Sequence, residues 1–254
     1  MRVLLTCGFL LLLFLARVAG AAEPKTITFA VLDTCSKPFC DIRQQGERQE
    51  LAGGIMKEWY EAIAAELGRQ PRMLLLPRKR MEDPKVERLF DLDCFLAPQW
   101  VADPSRYDWL LTFLTIEDRL VSLPAMPPVH GLDDLAGKRI GIIHGYSYPL
   151  LDPLFTAGRA IREEAGNDDS EISKQVMGRA DYSVINMIRF DYLRTVDPAV
   201  AKLAVSPLVV GRTPQVCRRP RYSTIALSDM LVAQQRLLAR GMMQRILEHY
   251  RPEK

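Results

Sequence analysis

Histidine is scarce in this 254-residue chain, with three in all (His130, His144 and His249), and no two cysteines form a Cys-x-x-Cys pair. The spacing that zinc sites need is missing, so neither a metal nor an organic cofactor is expected. Net charge is nearly missing too: 34 Lys+Arg stand against 31 Asp+Glu, for a formal +3. Such a balance gives no electrostatic reason to expect nucleic acid as a partner. There is no low-complexity tract and no short internal repeat, which sets aside fibrous and solenoid architectures. After the first two dozen residues no apolar run approaches the roughly twenty residues that a bilayer span requires. What remains is 48% hydrophobic and 26% charged, a composition that can bury a core and suits one large or two small domains.

The N-terminus reads as a leader. Met1 and Arg2 give a short positive end, Val3 to Leu15 is almost unbroken apolar sequence, and Ala19-Gly20-Ala21-Ala22 offers small residues for cleavage. That run is too short for a comfortable span, so residues 1–22 are expected to be a secretory signal peptide cut after Ala21 or Ala22. The mature protein is then exported and not membrane-spanning, and its expected location is the periplasm. Export alters the reading of the cysteines. Cys7 leaves with the leader, and Cys35, Cys40, Cys94 and Cys217 remain for disulfides in an oxidising compartment. Four cysteines allow three pairings. Cys35 with Cys40 would close a short local loop, and Cys94 with Cys217 would then tie distant parts of the chain.

Periodicity alternates between short apolar runs and helical patterns, the mark of α/β architecture. Thr26 to Leu32 reads as a buried strand, followed by a loop from Asp33 to Asp41 and a polar hairpin-like stretch. Ile55, Trp59, Ile63 and Leu67 recur every four residues, predicting a helix led by Gly53-Gly54 and stopped at Gly68. Strands are expected at Arg72 to Leu76 and Phe90 to Leu96, then at Leu120 to Leu123, Lys138 to His144 and Asp181 to Asn186. One more is expected within Ala201 to Val210, and another at Thr224 to Leu227. A helix follows the Gly145-Tyr146-Ser147-Tyr148-Pro149 turn. The C-terminal stretch, capped by Ser228 and interrupted by Gly241, predicts two helices.

Several segments in this order are similar to the type II periplasmic solute-binding proteins, and more narrowly to the polar amino-acid-binding family that serves ABC transporters. Lys37-Pro38-Phe39 resembles that family's loop after the first strand, and Leu51 through Gly68 its Gly-led first helix. Pro77-Arg78-Lys79-Arg80 resembles a Pro-x-x-Arg element of a divergent branch, and Asp91-Leu92-Asp93 the family's Val-Asp-Leu strand. Asp103-Pro104-Ser105-Arg106 stands where the family carries a Thr-Pro-Glu-Arg turn. Leu132 through Gly141 resembles the opening of the second lobe, Gly145-Tyr146-Ser147 the Gly-Thr turn, and Gly178 through Tyr182 the Gly-Arg-Val-Asp-Ala strand entry.

The resemblance implies two Rossmann-like α/β lobes joined by two crossing segments, with a ligand held between them. Residues 23–118 plus 211–254 would form the first lobe and residues 119–210 the second. For a small carboxylate-bearing polar solute, Arg106 and Arg80 are the candidate guanidiniums. Gly145, Tyr146 and Ser147 would offer helix-start donors, with Phe39, Trp100 or Tyr146 as an aromatic wall. Asn186 stands where the family has the Asp that holds a ligand ammonium. Either the ligand has no fixed ammonium, or Asp152 or Asp191 replaces that Asp. A monomer that binds without catalysis and works with an ABC permease is expected. The alternative is a ligand-sensing or accessory module for a membrane sensor or exported enzyme. A remoter one is a serine hydrolase using Ser147, against which Pro149 occupies a place where the nucleophile elbow needs glycine.

Overall fold

The structure is a computed structural model that describes residues 25–251; the expected leader and the last three residues lie outside them. The first strand, β1 (Thr26–Leu32), has five consecutive buried residues. It lies between two parallel partners, β4 (Gln70–Leu76) and β5 (Leu92–Leu96), and a strand covered on both faces needs an unbroken apolar run. Between them come the hairpin β2 (Asp41–Gln45) and β3 (Arg48–Gly53), then helix α1 (Ile55–Glu66). Ile55, Trp59, Tyr60 and Ile63 of α1 are fully buried against the sheet. Gly68, at φ +62°, ends that helix as the sequence predicts. Gly54 leads into α1 with φ +106°, and a Cβ there would stand 2.4 Å from the Phe39 carbonyl oxygen.

The chain continues through β6 (Tyr107–Trp109) and β7 (Leu114–Ser122), then repeats its plan. Next come β8 (Arg139–Ile143), α2 (Asp152–Thr156), β9 (Ile161–Ala165), α3 (Asp168–Val176), β10 (Tyr182–Asn186) and α4 (Met187–Val196). The long β11 (Ala204–Pro220) runs back across, and α5 (Leu227–Ala239) and α6 (Met242–Glu248) close the chain. Both halves share one topology. The first orders its parallel strands β4-β1-β5 and the second β9-β8-β10, each with the second-formed strand outermost and the first in the middle. Each is then flanked by an antiparallel crossing strand, β11 beside β5 and β7 beside β10.

β7 and β11 are the two crossing segments. They pair antiparallel from Ala204↔Ser122 to Gln215↔Leu114, with register shifts near Val209 and again at Val216/Cys217, where β11 passes to β5. Hydrogen bonding therefore continues from β4 to β9 through this ribbon, but the cores remain separate. One gathers Phe29, Trp59, Tyr60 and Ile63 with Met230, Leu237, Met243 and Ile246 of α5 and α6. The second half buries Leu120, Ile140, Ile142, Leu154 and Tyr182 on one face, and Val121, Ile172, Ile185 and Phe190 on the other.

Three local expectations are corrected. Thr224 to Leu227 is not a strand; Ala226 is the N-cap and α5 begins at Leu227, so Ser228 lies inside it. The helix expected after Gly145 is delayed to Asp152–Thr156. The strand expected within Ala201 to Val210 extends to Pro220 despite Pro207, Gly211 and Pro214, because β7 supplies a partner along much of its length. Disulfides join Cys35 to Cys40 and Cys94 to Cys217, the latter pair standing directly opposite each other on β5 and β11. Among the described residues no helix is long and apolar enough to cross a membrane.

Candidate functional site

Open α/β sheets bind ligands outside the carboxyl ends of their strands, where the strand order reverses. From the first half these ends carry the disulfide-closed loop after β1 and the single 3-10 turn Arg78–Arg80 after β4. From the second they carry the Gly145–Tyr148 turn after β8, Asn167 capping α3, and Asn186 capping α4. Contacts of two arginines cross between the halves. The Arg78 guanidinium lies 5.6 Å from the Tyr146 ring centroid, a cation–π arrangement. Arg189 of α4 donates to the Ser36 hydroxyl and, at 2.8 Å, to the Lys37 carbonyl. Its side chain is 3% exposed, and its other terminal nitrogen meets the exposed Asp169 carboxylate. Beside this contact a cavity of about 420 Å³ opens between the halves, lined by Lys37, Asp41, Asp169, Tyr192 and Val196.

Asp169 on this cavity's edge belongs to an acidic group carried by the second half and its crossing strand. Asp168, Asp169 and Glu171 stand in the first turn of α3, where the helix dipole favours negative charge. Glu171, however, is 4% exposed and its Oε1 has no hydrogen-bond partner. Burial pushes its carboxyl well above the usual range, the Asp168 charge adds to that, and Arg189 opposes it. Asp118 on β7 is pushed up to about 6, mainly by burial and then by the charges of Asp168 and Glu117. Glu117 itself is answered by Arg119 at 2.6 Å and Arg212 at 2.8 Å. Tyr146, exposed on its turn, lies within electrostatic reach of Asp168, Arg78 and Glu171. Among the described residues no three Asp, Glu, His or Cys side chains are grouped to hold a metal ion.

No family model matches the sequence, and no curated protein matches it. Solved structures do match its shape. The GluR0 ligand-binding core in complex with L-glutamate is 15% identical, with a TM-score of 0.70 over 92% of this chain and 100% of that one. The amino acid ABC transporter substrate-binding protein AbpA from Streptococcus pneumoniae, bound to L-arginine, is 15% identical with a TM-score of 0.66, over 90% and 94%. The ancestral amino acid-binding protein AncCDT-1, a precursor of cyclohexadienyl dehydratase, is 15% identical with a TM-score of 0.67, over 89% and 96%. This chain has the type II periplasmic binding protein fold. At such identities the likeness is one of fold, and the site must be read from this chain's own residues.

Within this fold the residues singled out by sequence have distinct surroundings. Arg106 donates at 2.7 Å to Glu87, a carboxylate 2% exposed that also accepts from the Tyr107 hydroxyl. Arg106 is thus engaged by a carboxylate of its own half. Arg80 is exposed on its turn, two residues from Arg78, the guanidinium that meets the opposite half. Phe39 packs on the first core, edge-on to Phe95 at 5.8 Å, and Trp100 is 38% exposed on a 3-10 turn. Gly145, at φ +77°, opens the turn that carries Tyr146.

Some of the donors expected at this turn have partners within their own half. The Tyr146 amide bonds the Ile143 carbonyl, while the Tyr148 amide and Ser147 hydroxyl both reach Asp152. Asn186 accepts from the Ile188 and Arg189 amides as the cap of α4. Asp152 is paired with Arg162 and Asp191 with Arg194. The side chains of Ser147 and His249 bond Asp152 and Glu58, so the residues a serine hydrolase would need are engaged in different places. Asp118, Glu171 and Arg189 escaped the sequence reading. An acidic residue two places before the apolar Leu120-Val121 pair was the available signal for Asp118, whereas the acids of α3 read as an ordinary helix start.

Proposed function

We propose that this is an exported solute-binding protein that captures a small polar, amino-acid-like solute between two lobes, residues 23–118 plus 211–254 and residues 119–210, without altering it. The observation that carries the reading is the meeting of strand carboxyl ends from both halves across Arg78–Tyr146 and Arg189–Ser36/Lys37. Ligand binding then biases an equilibrium between open and closed arrangements, and a partner reads the closed form. Tyr146 and Gly145 supply one wall and Arg78 with Arg80 the other, while Arg106 pairs with Glu87 of its own half. On this reading residues 1–22 are a leader, the mature chain is periplasmic and an ABC permease is its partner; the two disulfides fit that compartment.

A thermal-shift screen of amino acids, organic acids and small organic cations tests this. A true ligand at a hundredfold its Kd stabilises the protein by about 2.7 kcal/mol, which for a chain of this size raises Tm by roughly 5–11 °C. Failure of every compound to shift Tm overturns the reading. A sensor or accessory role uses the same closure, so the neighbouring genes separate the two: permease and ATPase genes favour uptake, a sensor kinase favours signalling.

A further inference from the structure

Four carboxylates gather where the second half meets the crossing strand and the loops of the first: Asp118, Asp168, Asp169 and Glu171. Against them stand two guanidiniums, Arg78 and Arg189. Arg189 is spoken for by Asp169, Ser36 and Lys37, and Arg78 lies over the Tyr146 ring. Among the described residues no ion pair answers Asp118, Asp168 or Glu171. A helix start explains acids at Asp168 and Asp169. It does not explain a Glu171 that is 4% exposed with an oxygen lacking any hydrogen bond, nor an acid facing it from a separate strand. Burying such groups is costly unless a partner arrives.

Resting on the binding reading above, we infer that Asp118, Asp168 and Glu171 form a pocket for the cationic end of the ligand, an ammonium or guanidinium group, with the Tyr146 ring beside it. No group of acids that could hold a metal ion is found among the described residues, and an organic cation with several N–H donors would answer these three. Ionised by an arriving cation, each carboxylate offers acceptors only, matching a group that offers donors only. The aromatic face of Tyr146 favours the same sign of charge. The chain's cation specificity thus comes from β7 and α3, while the Asn186 position is occupied by a helix cap.

The test is a titration of the full mature chain with agmatine, putrescine and L-arginine, beside glutarate and L-glutamate as anionic probes, read by thermal shift and calorimetry. At least one cation is expected to stabilise the parent, with affinity falling tenfold or more in both Glu171→Gln and Asp118→Asn. Asp118 is only half-buried, so its variant keeps the test open if Glu171→Gln misfolds. Cation affinity unchanged in both variants overturns the assignment. Stabilisation by the anions alone also overturns it, while leaving the cleft a binding site. No shift from any of the five overturns the pocket and the binding reading together.

Discussion

Arg106 places one terminal nitrogen on the Glu87 carboxylate and keeps further N–H donors, so this contact can be weighed apart from any ligand. Its partner Glu87 is 2% exposed, so Arg106→Ala leaves a buried charge with only the Tyr107 hydroxyl to answer it. The expected result is a stability loss of about 1–3 kcal/mol, measured by urea unfolding without ligand. Arg78→Ala, by contrast, should leave that value within about 0.5 kcal/mol. Asp118 gives a pH signature. Its carboxyl is raised to about 6 from 3.8, so the folded state holds a proton that the unfolded state has released. Its contribution is fully present below pH 4 and lost as pH rises through 6. Parent and Asp118→Asn should therefore diverge over that window, the parent losing midpoint relative to the variant; parallel profiles would refute it. Residue roles were the least legible part of the sequence. Asn186 and Arg106 stand at the positions the resemblance marks, yet capping and ion pairing depend on neighbours that only folding brings together.

Elements were far more legible, because their signals are local. The apolar run of β1, the four-residue recurrence in α1 and the Gly241 break between α5 and α6 each appear at or near the expected place. The extent of β11 was hidden, since its prolines and glycine disguise a strand that long-range pairing with β7 sustains. The start of α1 offers a direct check. Gly54 combines φ +106° with an approach that leaves no room for a methyl group. Gly54→Ala should cost about 1–3 kcal/mol from the backbone alone, more with the clash against Phe39, whereas Gly46→Ala in the β2–β3 turn meets open space. Comparable losses in both variants would show that conformation, not contact, governs the site.

At the scale of the whole molecule, alternating β and α signals with a repeat midway pointed to two α/β halves, while the contacts holding them together left no trace in the sequence. Arg189 is the clearest of these. Arg189→Met removes two hydrogen bonds from α4 to the first half, each of the charged kind worth about 1.5–3 kcal/mol. The expected outcome is a larger radius of gyration by small-angle scattering and a ligand affinity lower by about 10–100-fold; unchanged scattering would count against a latch. Asp118 has a different place, midway along a ribbon strand and opposite Gly211. Were a guest tethered so near the axle of a swinging jaw, it would scarcely be carried when the jaw moved, and would exert little torque on it. On the binding reading proposed above, gripping and swinging would then belong to separate parts of the machine, and a weakened grip at the axle need not shorten the swing.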